Sequence, residues 1–114
     1  MHELPITKSI CDMAVREGER LGAVRIHAIS IKRGEYTDYV PEVIDQYFEM
    51  LADGTIAEGA RLTFSTIPAV VSCRACGREE HISDFRLRCP ICGSSDVELV
   101  SGKEFYIENM EIES

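Results

Sequence analysis

The sequence lacks a long apolar run, an excess of positive charge and an even number of cysteines. None of its segments approaches the roughly 18 consecutive apolar residues of a membrane-spanning helix. The start of the chain also lacks the basic-then-apolar order of a signal peptide. We therefore expect a cytoplasmic protein without a membrane partner.

The charge balance and the cysteine count exclude further classes of protein. The formal net charge is −8, from 20 acidic and 12 basic residues, which argues against a nucleic-acid backbone as the main partner. Five cysteines make an odd number, which suits a reducing compartment better than a disulfide framework. The length of 114 residues, with 45% apolar and 28% charged residues, fits one small globular domain with at most one appendage.

Apolar periodicity predicts two helices and three strands outside the cysteine region. The first helix is expected to begin just after His2 and Glu3 and to turn Ile10, Met13 and Leu21 inward, among others. The predicted elements, in order, are a helix over Pro5–Leu21, a strand over Val24–Arg33, a helix over Val40–Leu51, a strand over Ala60–Ile67 and a strand over Phe105–Ile112. The fold class is therefore α+β, a small three-stranded sheet with two helices, and its last strand follows an inserted module.

The inserted module contains two C-x2-C pairs separated by twelve residues. Each pair directs two thiolates at a common point, and a glycine after it lets backbone N–H groups curl toward the sulfurs. We predict a closed four-cysteine metal site in a zinc-ribbon domain over residues 70–99. Its four ligands are Cys73, Cys76, Cys89 and Cys92.

Zn(II) is the expected ion, because four thiolates without an open position form a structural site whose binding energy folds a segment too small to fold itself. Rubredoxin-type iron is the alternative. Catalysis at this metal is not expected, since catalysis requires an open coordination position.

His81 is interpreted as a loop histidine, Cys11 as a small buried residue of the first helix, and His27 as a partly buried sheet residue.

Six short segments stand out along the chain: MHEL at the start, IKRGE (Ile31–Glu35), GTIAEGA (Gly54–Ala60), CRACG, CPICG and GKE (Gly102–Glu104). Together these segments resemble the HypA/HybF family of nickel accessory proteins over the whole chain. The family commonly has a small residue where Pro5 stands, and its loop after Glu35 varies. No ligand role is therefore assigned to Asp38 or Glu42.

The resemblance implies a nickel metallochaperone and not an enzyme. Transferable Ni(II) would bind at Met1, His2 and Glu3 in a domain formed by residues 1–69 and 100–114. The implied partners are a nickel-binding GTPase of the HypB type and a hydrogenase large-subunit precursor, with urease as a second class of recipient. The implied state is a monomer or a weak homodimer, with neither nucleic acid nor membrane as partner.

The chemistry of the N-terminus agrees with this implication. A free α-amine, backbone amides that lose their protons and the His2 imidazole are nitrogen donors that Ni(II) accepts in tetragonal geometry. Methionine is retained before a residue as large as histidine, so Met1 is expected to supply the amine. Glu3 would add an oxygen ligand or accept a hydrogen bond from the imidazole.

Two other functions compete with nickel transfer. The first is a zinc-ribbon module that binds protein or nucleic acid and has no nickel function; four arginines in the ribbon favour it, but five acidic residues in the same segment offset them. The second is an oxidoreductase that uses Cys11 or a C-x2-C pair, which would require reactive thiols in the metal-loaded protein.

Overall fold

A computed structural model describes residues 3–114 and confirms the α+β class, with two helices and two small sheets. The elements are α1 (Glu3–Arg20), β1 (Arg25–Gly34), α2 (Pro41–Leu51), β2 (Arg61–Ile67), β3 (Val70–Cys73), β4 (Glu79–His81), β5 (Val97–Ser101) and β6 (Phe105–Glu113). The three predicted strands form one sheet in the order β2-β1-β6. The last strand therefore joins this sheet after the cysteine segment, as predicted.

The chain divides into two compact units. The first unit contains residues 1–31, 38–65 and 106–114, and the second contains residues 32–37 and 66–105. The boundaries predicted from the sequence, with a zinc-ribbon domain over residues 70–99 and a nickel-binding domain over residues 1–69 and 100–114, stay a prediction.

Helix α1 differs from its prediction in its start and in its buried face. It begins at Glu3, two residues before the predicted range begins, and Glu3 is buried in its first turn. Met13 and Leu21, which lies just after the helix, were predicted to face inward, but they are 45% and 49% exposed. The buried stripe contains small residues, including Gly18, where an added Cβ would lie 3.1 Å from the Ile26 side chain. These small residues let α1 approach β1 closely, and Met13 lies outside the buried stripe.

The core of the first unit is built around β1. Ala28, Ile29 and Ile31 are all buried, which confirms that the centre of this strand is covered on both faces. Helix α2 adds Ile44 and Phe48. It begins at Pro41, whose missing N–H leaves no helical hydrogen bond unmade.

The core of the second unit is much smaller. Strand β3 lies between β4 and β5, and both pairings are antiparallel. The cysteine segment was not predicted to contain a sheet, because strands of four, three and five residues are too short for a clear alternating pattern. Its apolar cluster consists of the buried residues Ala69, Val71 and Ile82, with Tyr36, Val97 and Leu99 packed against them.

Among residues 3–114, no helix combines the length and the apolar character needed to cross a membrane.

Candidate metal centre

The first cysteine knuckle begins where β3 ends. Cys73 is the last residue of this strand, and its N–H donates to the Arg78 carbonyl at 2.8 Å. Gly77 donates to the Cys73 carbonyl at 2.9 Å and has a φ of 76°, a left-handed conformation that glycine adopts without a steric penalty. The Cys76 N–H points at the Cys73 sulfur at 3.4 Å.

The second knuckle repeats this hydrogen-bond pattern. Cys89 donates to the Ser94 carbonyl at 2.9 Å, and Gly93 donates to the Cys89 carbonyl at 2.9 Å. Gly93 has a φ of 78°. The N–H groups of Ile91 and Cys92 lie 3.4 and 3.5 Å from the Cys89 sulfur. Because both turns have the same local geometry, each pair presents its sulfurs in the same way.

The structure brings all four predicted sulfurs together. Their Sγ atoms lie within 4.8 Å of one another, with Cys73 and Cys92 3.6 Å apart and Cys76 and Cys89 3.7 Å apart. Sulfurs about 2.3 Å from a tetrahedrally bound zinc ion would be about 3.8 Å apart. These separations are far longer than a disulfide bond of about 2.05 Å. The four residues therefore fit a tetrathiolate metal site, and within residues 3–114 no other group of three or more such side chains is close enough to hold an ion.

The sulfur environment also prepares the site for a cation. The backbone N–H groups of Cys92 and Ile91 lower the pKa of the Cys89 thiol to about 7. The Ser94 backbone lowers the pKa of Cys92, but the Cys73 thiol, burial and the other two thiols together raise it to about 11. A divalent ion would displace the remaining protons, since only thiolates bind it.

The other candidate residues lie outside this cluster. Met1 and His2 lie outside the described residues. Cys11 is buried in α1 as expected, and burial raises the pKa of its thiol. The interpretation of His27 was wrong: its side chain is exposed and lies 2.7 Å from the Glu113 carboxylate.

His81 belongs to β4 and not to a loop, and it marks a contact that sequence reasoning missed. Its Nε2 lies 2.7 Å from Glu35 Oε1, which also accepts the Ala69 N–H at 2.9 Å. The hydrogen bond from the Ala69 N–H contributes most to lowering the pKa of Glu35, and the contact with His81 contributes next. Glu35 lies in the IKRGE segment. Its position in that segment was the sequence signal that could have indicated this contact.

Comparison with known proteins identifies the family. The family model described as "Hydrogenase/urease nickel incorporation, metallochaperone, hypA" matches residues 1–112. The chain belongs to the HypA family. This membership confirms the resemblance noted in the sequence and makes the chain a maturation factor of a nickel metallochaperone family, not an enzyme.

Relatives of the same length support the assignment. The chain is 39% identical to the hydrogenase maturation factor HypA of Caldanaerobacter subterraneus subsp. tengcongensis, over 99% of this chain and 100% of the relative. It is 38% identical to HypA of Dehalococcoides mccartyi, over 99% of this chain and 95% of the relative. The fold matches the solution structure of the Ni metallochaperone HypA from Helicobacter pylori with a TM-score of 0.71 at 17% identity, over 100% and 99% of the two chains.

Proposed function

We propose that the chain binds Ni(II) at its N-terminus and delivers it for maturation of a nickel enzyme. The ligands would be the Met1 amine, adjoining backbone amides and the His2 imidazole, with Glu3 as an added ligand or as acceptor for the imidazole. The recipient would be a hydrogenase large-subunit precursor, or urease, with a HypB-type GTPase assisting. The observation that carries this proposal is the match to the HypA family model from residue 1 to residue 112.

The position of Glu3 supports the proposal. Glu3 is only 5% exposed, and its Oε2 accepts the Val40 N–H at 3.1 Å. Val40 is the residue just before α2 and has no side-chain cap of its own. Glu3 therefore joins the first turn of α1 to the start of α2. A carboxylate held in this way has a fixed position, which favours a defined chelate.

We further propose that the four cysteines hold Zn(II), with residues 70–99 as the zinc-ribbon domain and residues 1–69 and 100–114 as the nickel-binding domain. When bound, the zinc would supply structural cross-linking of the two knuckles and no reaction. The closed set of four sulfurs leaves no coordination position for a substrate.

The two proposed sites would differ in how firmly they hold a metal. A terminal chelate that depends on deprotonated nitrogens gives up its ion to acid or to a better ligand set. A closed tetrathiolate does not exchange as readily, because every ligand is preset by a knuckle. A cargo metal and a resident metal can thus coexist in one chain.

The test is nickel titration of the untagged, zinc-loaded protein followed by elemental analysis. His2→Ala should lower nickel affinity by at least about 100-fold, since it removes a ligand and not merely a partner of one. Zinc content and the circular dichroism spectrum should not change. His27→Ala is the matched control, because its imidazole is exposed and pairs with Glu113; it should bind nickel like the wild type.

Blocking the α-amine provides a second test of the proposed nickel site. An N-terminal extension should weaken nickel binding sharply, because it converts the amine into an amide. Equal nickel affinity in the wild type, the extended chain and His2→Ala would refute the terminal chelate.

A further inference from the structure

A groove runs between α1 and β6 within the first unit. Its volume is about 590 Å³. One wall is formed by Met13, Arg16 and Glu17 of α1 and by Leu21 just after it. The other is formed by residues 106–110 and Ile112 of β6. Neither the four sulfurs nor Glu3 contributes to this groove.

Both walls expose large apolar side chains. Met13, Leu21 and Tyr106 are 45%, 49% and 46% exposed. Single exposed apolar residues are common on protein surfaces and need no explanation. Three of them in one groove form a contiguous patch, which is typical of an interaction site. The inward prediction for Met13 and Leu21 failed because these side chains line this groove instead of the core.

The β6 wall is also the edge of a sheet. The order β2-β1-β6 places β6 at one side, and β6 has nine residues. Edge strands are commonly protected from pairing by lysine and other charged side chains, by proline or by bulges. Strand β6 contains neither lysine nor proline, and its charged residues are all glutamates. Its backbone is therefore suited to accept an added strand, the mode called β-augmentation.

The charge of β6 indicates what kind of strand would bind. Its only charged residues are Glu108, Glu111 and Glu113. Glu111 and Glu113 do not line the groove, and side chains two residues apart lie on the same face of a strand. On the side of α1, an added strand would thus meet Met13 and Leu21 together with the charged residues that line the groove, Arg16, Glu17 and Glu108. On the opposite side it would meet only the carboxylates of β6.

We propose that β6 binds an extended segment of another protein in which lysine or arginine alternates with apolar residues. The apolar side chains would cover Met13 and Leu21, and the basic ones would lie beside Glu111 and Glu113. A second copy of this chain fits less well, because pairing two β6 strands would bring together two acidic strands of a chain with a net charge of −8. This binding does not depend on nickel.

The probe is a peptide of about seven residues, with capped ends, in which lysine and valine alternate. It is titrated into the ¹⁵N-labelled, zinc-loaded full chain and followed by NMR. Amide shifts and slower hydrogen exchange should concentrate in β6 and in α1 near Met13. A peptide of the same composition with lysines and valines in separate blocks controls for charge alone and should bind at least about tenfold more weakly.

Variants of the exposed wall test the groove without disturbing the core. Met13→Lys and Leu21→Lys should each weaken binding of the alternating peptide by about tenfold or more, since each removes apolar contact and adds like charge. Met50→Lys is the matched control, because Met50 is a 65% exposed methionine on α2; it should leave peptide affinity unchanged. His2→Ala should bind the peptide normally, so loss of nickel binding and loss of peptide binding are separate outcomes.

Three results would overturn the proposal. In the first, the control peptide, with its lysines and valines in separate blocks, binds as tightly as the alternating peptide. In the second, Met50→Lys weakens peptide binding as much as Met13→Lys does. Either result would mean that the attraction is general electrostatics. Alternatively, sedimentation shows a dimer that Met13→Lys converts to monomer, in which case the groove is an interface between copies.

Discussion

At the scale of single residues, two glycines of the second unit permit a close backbone approach. A Cβ on Gly34 would overlap the carbonyl group of Gly102, and a Cβ on Gly102 would lie 2.7 Å from the Ala69 Cα. Hydrogen bonds cross the same place, including Tyr36 N–H to the Gly102 carbonyl at 2.8 Å. The obstacle at Gly34 is backbone, which cannot move aside as a flexible side chain does.

We predict that Gly34→Ala lowers the free energy of unfolding by about 3 kcal/mol, the upper end of the usual cost of overpacking. The reason is that the added methyl group must separate Gly34 from Gly102 and thereby weaken the nearby hydrogen bonds, from Gly34 N–H to the Glu104 carbonyl and from Tyr36 N–H to the Gly102 carbonyl. Urea denaturation of the zinc-loaded protein, followed by circular dichroism, measures the effect.

Gly54→Ala provides the control for this prediction. Gly54 has a left-handed conformation, with a φ of 79°, which Gly34 does not have, and an added Cβ at Gly54 would meet nothing within 4 Å. Its substitution should cost only the left-handed penalty of about 1 kcal/mol. A loss for Gly34→Ala no larger than this one would contradict the close approach as the cause.

Residues with strong local chemistry were the ones most readily predicted from sequence. The four cysteines needed only their spacing, because a C-x2-C turn fixes its own geometry. Cys11 was placed correctly, since a cysteine on an apolar helix face is usually buried. The burial of His27 was not predicted correctly, because its neighbours in sequence, Ile26 and Ala28, are apolar, whereas its partner, Glu113, is 86 positions away.

At the scale of elements, periodicity located the helices and the long strands but not their rotation. The α1 prediction turned Ile10, Met13 and Leu21 inward, but of these only Ile10 is buried. The buried stripe also contains small residues, such as Gly18 against Ile26. Close approach of a helix to a sheet favours small side chains, which carry little signal in a hydrophobicity pattern. The strands of the ribbon escaped prediction because the longest of the three has only five residues.

Also at this scale, Glu35 links the segment after β1 to β3 and β4. Its Oε1 accepts the Ala69 N–H, and it lies beside His81 Nε2. These contacts lower the pKa of Glu35 below its ordinary value of 4.5. A lowered pKa in the folded state means that the carboxylate stabilises the fold above pH 4.5, and that this stability is lost as the pH falls through the folded value.

We therefore predict that Glu35→Gln is less stable than the wild type at pH 7 and that the difference shrinks as the pH falls below about 4.5. The glutamine keeps an acceptor for Ala69 but removes the charge beside His81. Urea denaturation of both proteins at each pH gives the difference between their free energies of unfolding. Acid release of zinc affects both proteins alike, so it does not change this difference. His81→Ala should reduce the effect of Glu35→Gln at pH 7, and a difference that stays constant from pH 7 to pH 3.5 would contradict the assignment.

At the scale of the whole molecule, the two units have unequal cores. The first unit buries large side chains from three elements, including Ile10, Ile29 and Phe48. The second has an apolar cluster of three buried residues, Ala69, Val71 and Ile82, with partly buried neighbours, besides the buried Cys73 and Cys89. A core of that size rarely stabilises a fold without a metal or a disulfide. Because none of the five cysteines forms a disulfide, a metal bound by the four clustered sulfurs would provide that stabilisation.

Removal of the metal should accordingly unfold one unit and spare the other. When a chelator strips the protein under reducing conditions, we predict that amide protection is lost across residues 70–99 and retained in α1, β1 up to Ile31, and α2. Hydrogen exchange with mass spectrometry measures this, and re-addition of zinc should restore the lost protection. Cys73→Ser should reproduce the loss without a chelator, whereas Cys11→Ala, outside the cluster, should not. Protection that survives chelation throughout the chain would show that the second unit folds without its metal, and loss throughout would show that the first unit depends on it.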